Sequence, residues 1–568
     1  MEKYGYVDIQ EMPLGSQFFR RKTEDFLAAN DLRLEGVDLY LTVQDSEGQI
    51  LAGGGLQKDI IKCVAVSQKA RSGGFAAPLV SELIARGMRA GYKSLKVFTK
   101  PGNESIFESL GFRTLARAPK AILMENGQGG LEEYLDYLRS VSGVGGEQEG
   151  QRRGAIVMNA NPFTLGHRYL VGQAALKVDR LFVIVVAEDA SVFPYSERLK
   201  MVQEGCAGLA NVTVCEGSAY QISRATFPTY FLKELSDASS TQMLLDLDLF
   251  AGKIAPALGV SVRFAGSEPG DALTAEYNAL MAKVLPGYSI EFREIPRMAT
   301  GASPISASAV RQALEEGSLR TAASLTPAST HPYLIAHLAC RALNMELDAP
   351  LKPGLVCPGV NGAHDDMDYG LMVKSIAALR PYFAKVASLG PMCSREDLVS
   401  LGKEAEEAML SATGGVNTHQ GAIFSLGLMA AFMSSSSISH FALTLPDTPR
   451  TLQWQALGVK GPLALAREGY KALFTDWLPH YRSVKKEEYA LQKTLVRIMS
   501  SLDDTCIIRR KGLEVAKQIK QEAEALCKNF SAEGLSQLDK TCCSLGVSPG
   551  GAADMLALTA FADSLEIV

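Results

Sequence analysis

Residues 159–167 read Asn-Ala-Asn-Pro-Phe-Thr-Leu-Gly-His and directly follow a short apolar run at 155–158. The apolar run predicts a buried β-strand, and the residues from Gly166 onward have helical spacing. A helix that begins after the first strand of an α/β unit presents free backbone N–H groups and the positive end of its dipole, which favour phosphate. The stretch therefore predicts a nucleotide site in which Thr164 and His167 donate hydrogen bonds and Gly166 allows close approach.

The sequence that follows alternates between strand and helix patterns. We expect strands at 181–186, 212–215, 243–249, 260–264 and 290–295, and a helix at 196–206. Such alternation is typical of a parallel, doubly wound sheet. We therefore predict an α/β, Rossmann-like domain over residues 154–320.

A second phosphate motif lies near the end of this domain, at 305–311, Ile-Ser-Ala-Ser-Ala-Val-Arg. Two hydroxyls in the first helical turn, Ser306 and Ser308, and Arg311 one turn later can hold the β- and γ-phosphates of ATP. The alternative is that one of these serines is a plain N-cap. A helix beginning with Thr and Gly is also common, so neither motif is specific alone. Both motifs at the two ends of one domain favour nucleotide chemistry.

The remaining segments have different characters. Residues 1–139 predict an α+β domain with strands at 39–43, 60–66 and 94–99 and a helix at 75–91. Residues 333–568 are rich in Ala, Leu, Met and Glu at helical spacing and predict an all-α domain. Stretches at 140–153 and 321–332, rich in Gly or in Pro and small residues, are expected to be linkers.

Composition excludes several classes of protein. The 568 residues carry a formal charge of −5, so the overall field does not attract nucleic acid or anionic lipid. The longest apolar stretches are shorter than a membrane span, and no apolar segment of a secretory signal follows Met1. The ten cysteines have no metal-ligand spacing. We expect a cytoplasmic protein with reduced thiols and no nucleic-acid or membrane partner.

Four polar motifs punctuate the all-α segment. They lie at 361–368 (NGAHDDMD), 413–421 (TGGVNTHQG), 503–504 (DD) and 548–554 (SPGGAAD). Carboxylates that converge inside a helical bundle suit Mg²⁺, but such residues also commonly cap helices. In a regular helix His364 and Asp368 share a face, whereas Asp366 points about 200° away from His364. Either the helix begins within the motif, or one acid is structural.

The first 320 residues resemble citrate lyase ligases, which belong to the nucleotidyltransferase superfamily. The resemblance rests on the two phosphate motifs and on residues 188–194, 222–228 and 266–269. It implies ATP-dependent acetylation of the prosthetic thiol on the citrate lyase acyl-carrier subunit, with acetyl-AMP as intermediate and His167 as catalytic residue. The implied nucleotide ligands, acting together with Mg²⁺, are Asn159, Asn161, Phe163, Thr164, Gly166, His167, Ser306, Ser308 and Arg311. Arg224 and Glu268 are candidate substrate contacts, and either can equally be an ion-pair partner.

The loop Arg71-x-x-Gly74-x-Ala76 resembles the pyrophosphate loop of GNAT acetyltransferases, a domain that citrate lyase ligases carry. In that loop successive backbone N–H groups at a helix start hold a pyrophosphate. The resemblance implies that Arg71, Gly74 and Ala76 bind a CoA-like group. No general base is evident in the segment, so binding is favoured over a second transfer reaction.

The all-α segment resembles triphosphoribosyl-dephospho-CoA synthases through its four motifs and residues 352–356. The resemblance implies that a ribose hydroxyl of dephospho-CoA displaces adenine from C1′ of ATP. The implied metal ligands are Asp366, Asp368, Asp503, Asp504 and Asp554, with Asp366 and Asp504 also catalytic. The implied nucleotide contacts are Gly414, Gly415, Asn417 and His419, and His364 contacts substrate. The sequence departs from the family pattern in three places: Cys357 replaces Asp, Cys506 replaces Asn, and Arg-Arg-Lys-Gly at 509–512 replaces His-Arg-Gly-Gly.

Together the two resemblances imply a bifunctional enzyme of citrate lyase maturation that uses ATP, acetate and dephospho-CoA. Two alternatives remain open from sequence. One is a different adenylyl- or cytidylyltransferase. The other treats the all-α segment as a non-catalytic module that docks the lyase.

Overall fold

The computed structural model describes residues 7–143, 150–188, 191–222, 227–232, 236–268, 271–300 and 303–567. The chain folds into two compact units. The first consists of Met1–Pro162 and Gly166–Ile305, and the second of Phe163–Leu165 and Ser306–Val568.

A seven-stranded mixed sheet forms the N-terminal part of the first unit. Its strands are β1 (Ile9–Glu11), β2 (Leu39–Gln44), β3 (Ile50–Gln57), β4 (Ile60–Val66), β5 (Ser94–Thr99), β6 (Arg113–Arg117) and β7 (Ile122–Gly127). The spatial order is β1-β2-β3-β4-β5-β7-β6, and only β4 and β5 run parallel among its neighbouring pairs. The helices are α1 (Gln17–Ala28), α2 (Ala76–Arg89), α3 (Glu104–Ser109) and α4 (Leu131–Ser142). The predicted α+β character is confirmed.

A five-stranded parallel sheet forms the rest of the first unit. Its strands are β8 (Arg153–Met158), β9 (Arg180–Val185), β10 (Val212–Cys215), β11 (Val262–Gly266) and β12 (Glu291–Ile295), in the order β10-β9-β8-β11-β12. The helices are α5 (Leu165–Ala175), α6 (Tyr195–Cys206), α7 (Ser236–Leu249), α8 (Ala255–Leu258) and α9 (Ala272–Val284). A short ribbon pairs β13 (Ala299–Thr300) with β14 (Ser303–Pro304). The predicted doubly wound sheet is confirmed.

The strand predicted at 243–249 is wrong, because this segment lies in α7. Its leucines alternate along the sequence, and Leu245, Leu247 and Leu249 are fully buried. Met243 and Phe250 are also buried, so the helix is apolar around much of its circumference. Where apolar residues are this dense, alternation does not distinguish a strand from a buried helix.

Residues of both sheets contribute to one hydrophobic core in the first unit. Phe98 of β5 and Phe182 of β9 belong to the same buried cluster. Hydrogen bonds join the same parts of the chain: the Tyr230 hydroxyl donates to the Phe98 carbonyl oxygen at 3.1 Å. The Tyr134 hydroxyl likewise donates to the Glu216 carbonyl oxygen at 3.0 Å. The N-terminal and middle segments therefore fold as a single compact body.

The second unit is helical. Its helices are α10 (Ala307–Glu315), α11 (Leu319–Ser324), α12 (His331–Asp348), α13 (Tyr369–Leu389), α14 (Arg395–Ala412), α15 (Gln420–Phe432), α16 (Ser435–Thr444), α17 (Pro449–Ala456), α18 (Pro462–Arg467), α19 (Leu478–Val484), α20 (Ala490–Ser501), α21 (Thr505–Lys511), α22 (Leu513–Lys528), α23 (Ala532–Leu545) and α24 (Gly550–Ser564). Over residues 333–567 the only extended pairing is the isolated bridge between Cys357 and Val360. The predicted all-α segment is confirmed.

The two stretches expected to be linkers contain regular secondary structure. Residues 321–332 are helical instead: they hold the end of α11, a 3₁₀ turn at Ala328–Thr330 and the start of α12. Ser318 caps α11 by accepting a hydrogen bond from the Thr321 N–H. Both prolines lie outside α11: Pro327 follows it, and Pro332 is in the first turn of α12, where proline is tolerated. Within 140–153, helix α4 runs to Ser142 and β8 begins at Arg153, while 144–149 lie outside the described residues.

In the part of the chain that the structure describes, no single helix has the length and hydropathy of a membrane span. Helices α15 and α16 reach that length and hydropathy only when counted as a pair, and the chain bends by 120° between them.

Candidate active sites

The loop after β8 lies at the switch point of the parallel sheet. From β8 the sheet extends through β9 and β10 on one side and through β11 and β12 on the other. Loops that leave neighbouring strands in opposite directions at this point form a crevice, which is where open α/β sheets bind ligands. Asn159, Asn161 and His167 follow the carboxyl end of β8, and Glu268 follows that of β11. The topology therefore brings these predicted residues to one edge of the sheet.

A buried arginine that the sequence analysis missed shapes this loop. Arg198 of α6 is fully buried. Its Nη1 donates to the carbonyl oxygen and the Oδ1 of Asn159 at 2.6 and 2.8 Å and to the Val186 carbonyl oxygen at 2.9 Å, and its Nε donates to the Phe193 carbonyl oxygen at 3.0 Å. Asn161 Oδ1 accepts a hydrogen bond from the Phe193 N–H at 3.1 Å. The asparagine side chains therefore hold the loop in shape.

His167 lies in the first turn of α5 and is half-buried. Burial, and secondarily the charge of Arg297, lowers the pKa of His167 to about 4. At neutral pH the ligand-free imidazole is therefore uncharged, and its role is hydrogen bonding rather than a permanent positive charge.

Glu268 forms an ion pair with the guanidinium of Arg297. Burial raises the pKa of Glu268, and Arg297 opposes this by favouring the carboxylate. Of the two roles expected for Glu268, the structure shows the ion pair. Arg224, the other candidate substrate contact, lies outside the described residues.

The second phosphate motif lies in the second unit and has its own local hydrogen bonds. Ser306 is the N-cap of α10, and its hydroxyl accepts a hydrogen bond from the Ala309 N–H at 3.0 Å. Arg311 Nη2 donates to Ser308 Oγ at 3.0 Å. Phe163 and Thr164 are buried in the same unit, where the Phe163 carbonyl oxygen accepts from Thr330 Oγ1 at 2.9 Å. Ser306 is therefore a helix N-cap, as one alternative of the sequence analysis held. Ser308 and Arg311 are hydrogen-bonded to each other at the surface.

The predicted pyrophosphate loop connects β4 to α2. Gly74 has φ +68°, a conformation that favours glycine, and a Cβ at this position would have no neighbour within 4 Å. Arg71 is exposed in the 3₁₀ turn before it, and among the described residues no side chain caps the N-terminus of α2 at Ala76. These residues leave the first N–H groups of a 14-residue helix open for an anion.

The second unit contains a cavity of about 350 Å³. Residues from all four polar motifs of the all-α segment contact it. These lining residues are His364, Met367, Asn417, Thr418, His419, Gln420, Gly421, Asp503, Ser548, Gly550, Gly551, Ala553 and Asp554. The tertiary structure thus brings together motifs that lie far apart in the sequence, as the residues of an active site commonly do.

Asp504 is not among the residues that line the cavity. It is the N-cap of α21: its Oδ1 accepts from the Cys506 and Ile507 N–H groups at 2.8 and 3.2 Å. Its Oδ2 accepts from the Ala552 N–H of α24 at 2.9 Å. Asp504 therefore joins the starts of two helices, and burial raises the pKa of its carboxyl.

Asp554 lines the cavity from the second turn of α24. It accepts a hydrogen bond from the Ala422 N–H of α15, and burial together with the nearby charges of Glu346 and Asp504 raises its pKa well above the usual value. A Cβ on Gly421 would overlap Asp554 Oδ2. The carboxyl group of Asp554 therefore fills the space next to the α15 N-terminus.

The remaining acids lie apart from this pair. Asp368 is the N-cap of α13 and accepts from the Leu371 N–H at 2.8 Å, so the helix begins directly after the motif and the predicted helical face shared by His364 and Asp368 does not form. Asp366 is mostly exposed, with Oδ1 3.5 Å from His364 Nδ1. Asp503 lines the cavity and pairs with Lys520 at 2.8 Å. Among the described residues, no three His, Cys, Asp or Glu side chains are positioned to hold a metal ion together. The five predicted ligands therefore do not form a metal set in this structure.

The glycine-rich motif before α15 shapes the cavity through its backbone. Gly414 and Gly415 have φ of +65° and +95°, which L side chains rarely adopt, and Asn417 Nδ2 donates to Gln420 Oε1 at 2.9 Å. His419 is buried, and its Nδ1 lies 2.7 Å from Ser375 Oγ. Burial, and secondarily the charge of Lys352, lowers the pKa of His419 to about 4. His419 is therefore a neutral imidazole at the cavity wall.

The cavity also has cationic residues that the sequence analysis did not select as site residues. Arg450 and Lys460 line it beside Trp454, and Arg509 and Arg510 line it from α21. Arg509 and Arg510 could have been noticed in the sequence, because residues 509–512 depart from the family pattern. Arg450 and Lys460 lie in no motif, so no sequence signal pointed to them.

Comparison with known proteins matches the two halves of the chain to two families. Residues 153–334 match the citrate lyase ligase C-terminal domain, and residues 332–459 and 446–567 match ATP:dephospho-CoA triphosphoribosyl transferase. The [citrate [pro-3S]-lyase] ligase of Escherichia coli (strain K12) is 42% identical over 316 residues, which cover 54% of this chain and 88% of the relative. A probable 2-(5''-triphosphoribosyl)-3'-dephosphocoenzyme-A synthase of Stutzerimonas stutzeri is 36% identical over 264 residues, 41% of this chain and 91% of the relative. The synthase of Klebsiella pneumoniae with the corresponding name is 35% identical over 261 residues, 40% of this chain and 93% of the relative.

Proposed function

The chain belongs to the citrate lyase ligase family in its N-terminal and middle parts and to the triphosphoribosyl-dephospho-CoA synthase family in its C-terminal part, and on this premise we propose that it has both activities. The ligase part acetylates the prosthetic thiol of citrate lyase with acetate and ATP. The synthase part makes triphosphoribosyl-dephospho-CoA from ATP and dephospho-CoA. The protein is therefore a bifunctional enzyme that serves citrate lyase.

The ligase reaction proceeds at phosphorus. An acetate oxygen attacks the α-phosphorus of ATP, pyrophosphate leaves and acetyl-AMP forms; the thiolate then attacks the acyl carbon and AMP leaves. This chemistry needs positioning and charge stabilisation rather than an enzyme nucleophile. His167 is the candidate catalytic residue, since a neutral imidazole on the first turn of α5 can donate an N–H to a phosphate oxygen. Thr164, Ser306, Ser308 and Arg311 are the candidate triphosphate ligands.

The synthase reaction proceeds at carbon. A ribose hydroxyl of dephospho-CoA attacks C1′ of the ATP ribose, adenine leaves with the glycosidic electron pair, and the triphosphate stays on the product. The observation that supports this site most strongly is the cavity of about 350 Å³ contacted by all four motifs. Asp366 is the candidate base for the hydroxyl, and Asp504 positions the helix starts that line the cavity.

The proposal has two further components. We propose that Mg²⁺ enters with ATP and is bound chiefly by phosphate oxygens, as is usual for this ion. We also propose that the open helix start at Arg71, Gly74 and Ala76 receives the CoA-like arm of the citrate lyase acyl-carrier subunit. Support for this assignment comes from the uncapped N-terminus of α2.

The alternative of a non-catalytic C-terminal module is not favoured. The transferase family match extends over 332–567 in two overlapping segments, and the relatives aligned with it are named as synthases. Within the second unit the motif residues lie around one cavity, whereas a docking module would not require them to converge.

Two assays on the full-length protein test the proposal. Acetate-dependent release of pyrophosphate from ATP tests the ligase activity, and release of adenine from ATP plus dephospho-CoA tests the synthase activity. Asp504→Ala is the control for adenine release, because it removes the acceptor that joins α21 to α24. Pyrophosphate release that does not depend on acetate would indicate another nucleotidyltransferase, and absence of adenine would indicate a binding module.

A further inference from the structure

One wall of the cavity in the second unit is basic. Arg450, Lys460, Arg509 and Arg510 all line it, and we call these four residues the basic wall. All four residues are exposed, so a ligand in solution can reach them. We propose that the basic wall binds the triphosphate chain of ATP during the synthase reaction. This inference rests on the proposed synthase function and adds the residues that hold the polyphosphate.

The basic wall is built by two elements that contact each other. Arg450 is in the first turn of α17, Lys460 follows that helix, and Arg509 and Arg510 are in α21. Trp454 and Val459 from the first element form a hydrophobic cluster with Ile508 from the second. This cluster is separate from the other cores and fixes the two pairs of cations next to each other.

The face that α21 presents to the cavity follows from helical spacing. Thr505, Cys506, Arg509 and Arg510 line the cavity, and they occupy two i, i+4 pairs on adjacent rows of the helix. Arg510 Nη2 also lies 3.5 Å from His364 Nδ1, so the guanidinium reaches across to the first polar motif. A planar guanidinium that donates several N–H groups is well suited to phosphate oxygens.

Among the described residues, no acid that lines the cavity is ion-paired with the basic wall. Glu346 pairs with Lys352, and Asp503 pairs with Lys520. Glu406 accepts from Gln420 Nε2 at 3.0 Å. In the described part of the chain, Arg450, Arg509 and Arg510 have no carboxylate partner, whereas Lys460 pairs with Glu468 at 2.7 Å.

The helix N-termini at the cavity are not the better phosphate site. Asp554 accepts from the Ala422 N–H at the start of α15, and Asp504 accepts from the Ala552 N–H at the start of α24. A phosphate bound at the N-terminus of either helix would meet a carboxyl group. The polyphosphate therefore binds at the basic wall, whose side chains donate N–H groups and carry the opposite charge.

The test compares full-length wild type with Arg509→Ala/Arg510→Ala. Calorimetric titration with inorganic tripolyphosphate should lose one binding event in the variant, and the KM for ATP in adenine release should rise about 100-fold, roughly tenfold for each charge-assisted pair removed. Arg395→Ala/Lys486→Ala removes the same charge from exposed positions outside the cavity lining and should change neither. Arg509→Lys/Arg510→Lys should recover part of the affinity, which a misfolded variant would not do.

The outcomes separate this inference from the function on which it rests. Unchanged tripolyphosphate binding in the double alanine variant overturns the inference, even if adenine is released normally. A raised KM for dephospho-CoA instead of ATP also overturns it, because the wall would then hold the diphosphate of the other substrate. If wild type releases no adenine, loss of the tripolyphosphate event in the variant still supports a polyphosphate site, while the synthase function fails.

Discussion

Asp504 Oδ2 accepts a hydrogen bond from the Ala552 N–H at 2.9 Å, which joins the starts of α21 and α24 across 48 residues of sequence. The same carboxylate accepts from two N–H groups of its own helix. Two of the polar motifs are therefore connected by one buried side chain. Both tryptophans of the chain, Trp454 and Trp477, are buried in the second unit, so tryptophan fluorescence monitors the unfolding of this unit.

Asp504→Asn should destabilise the second unit by about 1–3 kcal/mol, because the amide cannot accept from all of these N–H groups at once and a buried donor remains unsatisfied. Denaturant unfolding followed by tryptophan fluorescence measures the change. The matched control is Asp503→Asn at the neighbouring position, a partly exposed ion pair whose loss should cost less than about 1 kcal/mol. Equal effects at both positions would contradict the buried role of Asp504.

Gly421→Ala should destabilise the second unit by about 1–3 kcal/mol and reduce adenine release, since the new methyl group would overlap Asp554 Oδ2 in a packed wall. Gly402→Ala is the control. Gly402 is inside α14 with nothing within 4 Å of a Cβ, so alanine there should stabilise by about 0.5–1 kcal/mol. The same fluorescence assay compares the two, and a neutral Gly421→Ala would show that the carboxyl group can move aside.

His167→Ala should lower acetate-dependent pyrophosphate release by about 10²–10³-fold, because the transition state loses one hydrogen-bond donor. Adenine release should be unchanged, since His167 is in the first unit and the cavity lining is in the second. Steady-state kinetics of both reactions on one preparation provide the comparison. Loss of both activities in a folded variant would argue against separate sites.

The contribution of His419 to the stability of the second unit should fall as the pH falls from about 6.5 to 4. Burial lowers the pKa of His419 to about 4, below its unfolded value, so the unfolded state binds the proton first in this window. The stabilisation is fully present above the unfolded pKa and is lost by about pH 4; it amounts to about 3 kcal/mol. His419→Gln should remove this contribution, measured as the difference in unfolding free energy between wild type and variant at pH 7 and 4.5. A difference that does not vary with pH would contradict a buried neutral imidazole.

Several elements could be predicted because their signals are local. Strand β10 occupies the predicted residues 212–215, and α6 begins within one residue of the predicted start at 196. The helix after Gly166 and the order of strand and helix in the parallel sheet also follow from periodicity and turn residues. The segment at 243–249 could not be assigned in this way, because its density of leucines fits both a strand and a buried helix.

The amino-acid sequence by itself determined the fold classes and the positions of the loop after β8 and of the four polar motifs, since these depend on residues close together in the chain. Only the tertiary structure decided what surrounds them: that Arg198 holds the loop after β8, that Asp504 and Asp554 cap helices, and that Arg450 and Lys460 lie beside Arg509 and Arg510. The physical reason is that burial, hydrogen-bond partners and the pKa of a side chain depend on packing between segments far apart in sequence, which no local pattern records.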